Sequence, residues 1–268
     1  MPLVANARMY SATPAVREAW KVLLRWVLVR AGLAWDVIDY DAPAPLSVLW
    51  ARDDLGLAMM CGLPFAQRGV RPTLVAAPLP SPARYGGHPV YFTDLVVRAD
   101  AAFERLEDTF GGTVGYTLAD SMSGGVAFRN HLAPYRAQRG TRLYARAVGN
   151  LIHARGVIEA LAAGHIDVGP LDSYYHDLLR HHEPALAAQV RVVASTGAMP
   201  IPPLVATAAL APDELQRLRQ ALADVAHAPE LQPTRERLLL AGFVSALPAA
   251  YDTLAAMARR PIPSFEEL

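Results

Sequence analysis

The chain has 268 residues and carries 25 Lys+Arg against 25 Asp+Glu, so its formal net charge is zero. That balance argues against a general nucleic-acid or anionic-membrane binder, although a neutral protein can bind an anion locally through a few placed donors. A hydrophobic share of 53% supplies core for one large domain or two ordinary ones without staples, and Cys61 as the single cysteine rules out an internal disulfide and a cysteine-based zinc site.

In chain order, Ala5 to Tyr10 reads as a short strand, and Thr13 caps a helix whose first residue is Pro14. Apolar residues at Val16, Trp20, Leu23, Leu24, Val27 and Leu28 give that helix one buried face, and Gly32 ends it. Strands follow at Trp35–Tyr40, Leu55–Cys61 and Thr73–Ala77, with short helices at Pro45–Arg52 and from Pro64. The stretch Pro78–Pro89, rich in proline and glycine, reads as a loop. A strand at Val90–Val97, a helix from Asp100 or Ala101 to Leu106 and a strand at Gly112–Tyr116 lead to a helix over Val126–Tyr135. Arg142–Val148, Ile166–Gly169 and Val190–Ala194 read as strands, alternating with helices at His153–Ala163 and Asp172–His182. The tail is mostly helical, with helices at Pro212–Val225, Pro233–Leu240 and Pro248–Arg259 around a short strand at Gly242–Val244. This strand–helix alternation predicts an α/β fold with mostly parallel sheets flanked by helices. Two segments, the loop before Val90 and Ser195–Pro203, bracket a middle block. The expected organisation is one lobe from residues 1–90 and 198–268 and an inserted lobe from 91–197, joined by two hinge crossings.

Asp120-Ser121-Met122-Ser123-Gly124-Gly125 is the most informative stretch, because it lies between a strand and a helix. The first amides of a helix have no internal partner and carry partial positive charge, serine hydroxyls add donors, and glycine lets the main chain approach a ligand. The plain alternative is an N-cap, with Ser121 or Ser123 satisfying one amide. Asp172 stands at another helix start, where an N-cap is its default role. His153 stands at a third, where it either caps or donates to an anion.

His176, Asp177, His181, His182 and Glu183 form the densest polar cluster, and Asp177 and His181 lie one helical turn apart. A solvated helix end accounts for them, so neither a metal nor a cofactor is expected. No Gly-x-Ser-x-Gly elbow makes Ser123 a nucleophile, and the glycines at 111, 112 and 115 lie inside a strand rather than in a dinucleotide loop.

Four segments in this order and spacing carry a family resemblance. They are Met60-Cys61-Gly62-Leu63-Pro64-Phe65, Tyr91-Phe92-Thr93-Asp94-Leu95-Val96-Val97, Asp120-Ser121-Met122-Ser123-Gly124, and Gly164-His165-Ile166-Asp167-Val168-Gly169-Pro170-Leu171-Asp172-Ser173-Tyr174. The chain resembles, over essentially its whole length, the phosphate/phosphite/phosphonate substrate-binding proteins of ABC transporters, a branch of the type II periplasmic binding proteins. The resemblance implies two lobes that close on a small anionic ligand and present it to a permease, without chemistry of their own. It implies that Ser121, Met122, Ser123, Gly124, Gly125, Asp172 and Tyr174 face the ligand from the inserted lobe, and Tyr10, Cys61 and Gly62 from the other. Tyr91 is expected as a further wall, and His153 falls close to a family histidine. Two positions depart from the family pattern: Met122 stands where a threonine is usual, and Cys61 where an aromatic precedes the glycine. A thioether cannot donate a hydrogen bond, so an apolar wall replaces one anion contact.

Such a protein is periplasmic if a signal was removed ahead of Met1-Pro2-Leu3-Val4-Ala5, and cytoplasmic otherwise. The alternatives are a cytoplasmic enzyme on the same fold, resembling menaquinone-pathway or thiamine-pyrimidine enzymes, and a sensory ligand-binding module. In the enzyme, Asp172 or His153 would act as acid and base.

Overall fold

A computed structural model describes residues 2–41 and 44–268. Its strands are β1 (Val4–Asn6), β2 (Asp36–Val37), β3 (Leu55–Met59), β4 (Thr73–Pro80), β5 (Val90–Tyr91), β6 (Thr93–Arg98) and β7 (Thr113–Gly115). Then come β8 (Arg146–Val148), β9 (Gly169–Asp172), β10 (Val190–Ser195), β11 (Met199–Pro200), β12 (Leu204–Ala206) and β13 (Leu240–Val244). The chain divides into two compact units: the residues up to Val90 with Pro200–Thr253, and Tyr91–Met199 with Leu254–Leu268.

The first unit is built on a six-stranded sheet in the order β13-β4-β12-β3-β1-β2. Strand β1 pairs parallel with β2 and β3, whereas β12 is antiparallel to β3 and β4, and β13 is antiparallel to β4. The sheet is therefore mixed rather than mostly parallel, because its antiparallel members enter from the far part of the chain. Helix Pro14–Ala31 covers it as its periodicity predicts: Thr13 Oγ1 accepts the Val16 amide at 3.2 Å, Gly32 closes the helix at φ 66°, and all six apolar residues of the predicted face are buried. Strand β4 runs on through Pro78 and Pro80, where a loop was expected. Beyond Ala76 only β13 pairs with it, so a missing proline N–H leaves no ladder bond unmade on the other side.

The second unit has a three-stranded sheet, β10-β6-β9, and a parallel pair, β7 with β8. Both pairings within the three-stranded sheet are antiparallel. A parallel bridge from Val114 to Val168 ties β7 to the approach of β9. The strand expected at Ile166–Gly169 begins later, at Gly169. Its expected start is occupied by a side-chain contact, in which Asp167 Oδ2 accepts the Thr113 amide at 2.6 Å. The expected Val90–Val97 strand breaks at Phe92, whose N–H donates to Ser173 Oγ at 3.0 Å while its carbonyl accepts from Ser173 N at 2.9 Å. No helix forms from Asp100 to Leu106. Asp108 Oδ2 takes the amides of Glu104 and Arg105 at 2.9 and 2.8 Å and sets up a 3-10 turn at Leu106–Thr109 instead.

Residues 198–268 were all expected in the first lobe, but residues 254–268 pack in the second unit. Phe265 and Leu268 join Leu95, Val97, Val114, Phe128, Leu132 and Leu143 in its core. Phe265 stacks on Tyr116 at 4.3 Å between ring centroids with a 10° interplanar angle, and the Tyr116 hydroxyl donates to Glu266 at 2.9 Å. Spacing could not reveal this, because the anchor is a pair of apolar residues in a short tail with no helical or strand period.

Candidate functional site

In the second unit, β7, β8 and β9 run in one direction, so the segments after them emerge at one edge of the sheet: the serine turn, the His153 loop and Asp172. Ligand sites of open α/β sheets lie at such carboxyl ends.

The serine turn opens with a stretch of π-helix, Met122–Val126, that runs directly into helix Ala127–Arg139. The two serines divide the roles that the sequence left open. Ser121 is the N-cap: its Oγ accepts from the Gly124 amide at 3.3 Å, and its carbonyl accepts from Gly125 N at 3.0 Å and Val126 N at 2.9 Å. The hydroxyl of Ser123 makes no hydrogen bond among the described residues, and neither the Met122 nor the Ser123 amide finds an acceptor among them. These donors are all in the first turn, where the macrodipole favours negative charge. A π-turn places two amides on one carbonyl and widens the helix mouth, a distortion that recurs at functional sites.

Close packing fixes the turn. A Cβ on Gly124 would sit 1.8 Å from Thr117 Oγ1, and one on Gly125 would sit 2.4 and 2.6 Å from the carbonyl oxygens of Leu118 and Ala119. Gly125 thus allows a backbone-on-backbone approach that any side chain would block. Met122 is fully buried, so its thioether is packed inward as part of the turn's foundation.

Thr93 joins the turn to the neighbouring strand. Its Oγ1 donates to the Ser123 carbonyl at 3.0 Å, and its Cα is the register partner of Asp172. Asp172 caps helix Ser173–His182, with Oδ1 accepting from Tyr174 N at 3.0 Å and Tyr175 N at 3.1 Å. Its default role is thereby filled. Tyr174 lies wholly inside the protein, and burial pushes its phenol far above the ordinary tyrosine value. Tyr91 is likewise buried. His153 is exposed and is also a cap, its Nδ1 accepting from Gly156 N at 3.1 Å.

The remaining expected residues, Tyr10, Cys61 and Gly62, belong to the first unit, where they too follow strand carboxyl ends. Tyr10 closes a 3-10 turn after β1 and is buried; Cys61, half-buried, precedes helix Gly62–Gln67, whose first glycine is buried. Sequence reasoning missed Thr93, which holds the serine turn from a strand some thirty residues earlier, and Thr117, which packs under Gly124 from just ahead of it. A lone threonine in a strand carries no local signal for the first contact.

A buried polar group supports the same strand. His176 Nδ1 lies 2.9 Å from Asp94 Oδ2 with both side chains sealed from solvent, and Ser195 Oγ donates to Asp94 Oδ1 at 2.9 Å. Next to it, Thr93 N donates to Thr196 Oγ1 at 2.9 Å and Thr196 N donates to the Thr93 carbonyl at 3.0 Å. The predicted polar cluster is thus split: His176 is core, while His181 and His182 end the helix. Among the described residues no group of three or more His, Cys, Asp or Glu could hold a metal. Asp94→Ala strands a buried imidazole donor and is expected to cost the second unit about 1–3 kcal/mol. Urea unfolding of the variant checks this, and an unchanged midpoint would show that the pair is not stabilising.

A mixed sheet in one unit and an antiparallel sheet beside a parallel pair in the other, each with turns at strand carboxyl ends, make the α/β fold of the type II periplasmic binding proteins. Residues 12–251 match the family of phosphonate ABC transporter periplasmic substrate-binding proteins, and the chain belongs to that family. It is a solute-binding protein of an ABC transporter. No curated protein sequence matches it.

Its structure is similar to that of PhnD1 from Prochlorococcus marinus in complex with methylphosphonate, with a TM-score of 0.75 and 13% identity over 96% of this chain and 97% of that one. A binding-protein component of an ABC phosphonate transporter from Pseudomonas aeruginosa gives 0.74 and 17% over 99% and 91%. XAC2383 from Xanthomonas citri, bound to chloride ion, gives 0.69 and 22% over 96% and 97%. These identities carry the fold.

Proposed function

We propose that this chain captures a small organic anion of the phosphonate type, its acidic group received by the Ser123 hydroxyl and the amides of Met122 and Ser123. What carries the reading is that these donors lack acceptors among the described residues at the start of a long helix. Charge-assisted hydrogen bonds are about twice as strong as neutral ones, and their full value is realised where water is excluded. His153 and Asp172 stand beside the turn as caps, and in this reading they set the shape of the site more than its charge. The ligand is then handed to a membrane permease, in the periplasm where the family works.

Calorimetry with inorganic phosphate, phosphite and methylphosphonate tests the assignment. Ser123→Ala is expected to weaken the best of these about ten- to a hundredfold while leaving the unliganded melting temperature unchanged. Ser121→Ala, which removes a cap, is expected to lower the unliganded stability by about 1 kcal/mol. Equal affinities in wild type and Ser123→Ala would refute the pocket.

A further inference from the structure

The first unit holds a cavity of about 20 Å³ between the carboxyl ends of β1 and β2 and helix Pro14–Ala31. That volume admits one particle the size of a water molecule. Most of its polar lining is already committed. Asn6 Nδ2 donates to the Ile38 carbonyl at 2.8 Å, and its Oδ1 accepts from Arg8 N at 2.8 Å. Lys21 pairs with Asp39 at 2.5 Å and with Glu18, outside the lining, at 3.1 Å, while Arg17 pairs with Asp41.

Two donors are left over. Trp20 lines the cavity and is 1% exposed, and its Nε1–H finds no acceptor among the described residues. A buried donor without an acceptor is costly, so the indole calls for a partner. Arg8 is half-buried over the Tyr40 ring, 5.3 Å from its centroid, and Nη1 donates to the Ala44 carbonyl. It makes no ion pair among the described residues, so the lining carries three cations, Arg8, Arg17 and Lys21, against the carboxylates of Asp39 and Asp41. Burial lowers the Arg8 guanidinium from its ordinary value more than Tyr40 and Asp41 raise it, as expected of a charge that has lost water without gaining a close carboxylate. A water molecule answers the indole alone; only an anion answers the indole and the surplus charge together.

We infer that this cavity is a halide site, in which one chloride ion accepts from Trp20 Nε1 and from the Arg8 guanidinium and ties the ends of β1 and β2 to the helix. Asp39 and Asp41 would repel the ion, but Lys21 and Arg17 neutralise them. The inference does not depend on the anion reading of the serine turn, which lies in the other unit.

The test uses the full chain labelled with nitrogen-15, titrated with sodium chloride against sodium gluconate at constant ionic strength. Trp20→Phe identifies the Trp20 indole resonance among those of the four tryptophans. That resonance is expected to move with chloride and saturate while the others stay in place, and the melting temperature in chloride is expected to exceed that in gluconate by about 2–4 °C. Arg8→Met keeps the stem and removes the charge, and is expected to lose both responses. Ser123→Ala is expected to keep them. A Trp20 resonance indifferent to chloride means that water alone answers the indole, and overturns the site. Full responses in Arg8→Met overturn it too, as does their loss in Ser123→Ala, which would put the ion on the serine turn.

Discussion

Gly125→Ala is expected to abolish binding of phosphate, phosphite and methylphosphonate alike and to destabilise the second unit by about 1–3 kcal/mol. The added methyl would meet the carbonyl oxygens of Leu118 and Ala119 at 2.4 and 2.6 Å, and both are main chain with no rotamer to give way. The turn must open to admit it. Opening breaks the paired bonds from Gly125 N and Val126 N to the Ser121 carbonyl and disperses the free amides just ahead of them. Ser123→Ala removes one donor from an intact turn, so the two variants separate the loss of a contact from the loss of the frame. Calorimetry with thermal melting checks the prediction. Retained affinity in Gly125→Ala would mean that the anion is held elsewhere.

Phe265→Ala is expected to be the most destabilising of the substitutions considered, at about 3–5 kcal/mol, with the loss confined to the second unit. The ring is 2% exposed, stacks on Tyr116 and lies 5.5 Å from Phe128, so truncation leaves a cavity lined by aromatic faces that cannot collapse together. The effect reaches the site through Tyr116, which carries both the serine-turn segment and the carbonyl that holds Leu151. Hydrogen exchange read separately over the two units checks this. Protection lost equally in both, or in neither, would contradict the tail's assignment to the second core.

The sequence by itself determined the local elements whose signals are short-range. Thr13 and Pro14 start the first helix and Gly32 ends it, because a cap, a fixed φ and a left-handed residue each act within one turn. For the same reason His153 and Asp172 were legible as helix starts, and Ser121–Gly125 as the turn that leads from a strand into a helix. The family resemblance extended that reading to the whole chain because it rested on the order of four segments. Tertiary structure alone decided which serine caps and which stays free, since a π-turn depends on how the main chain at Gly125 packs under Leu118 and Ala119. It also decided that Thr93 braces the turn, that β12 enters the first sheet antiparallel, and that Phe265 closes the second core. The last three contacts join residues far apart in the chain, and neither propensity nor periodicity carries information across such distances.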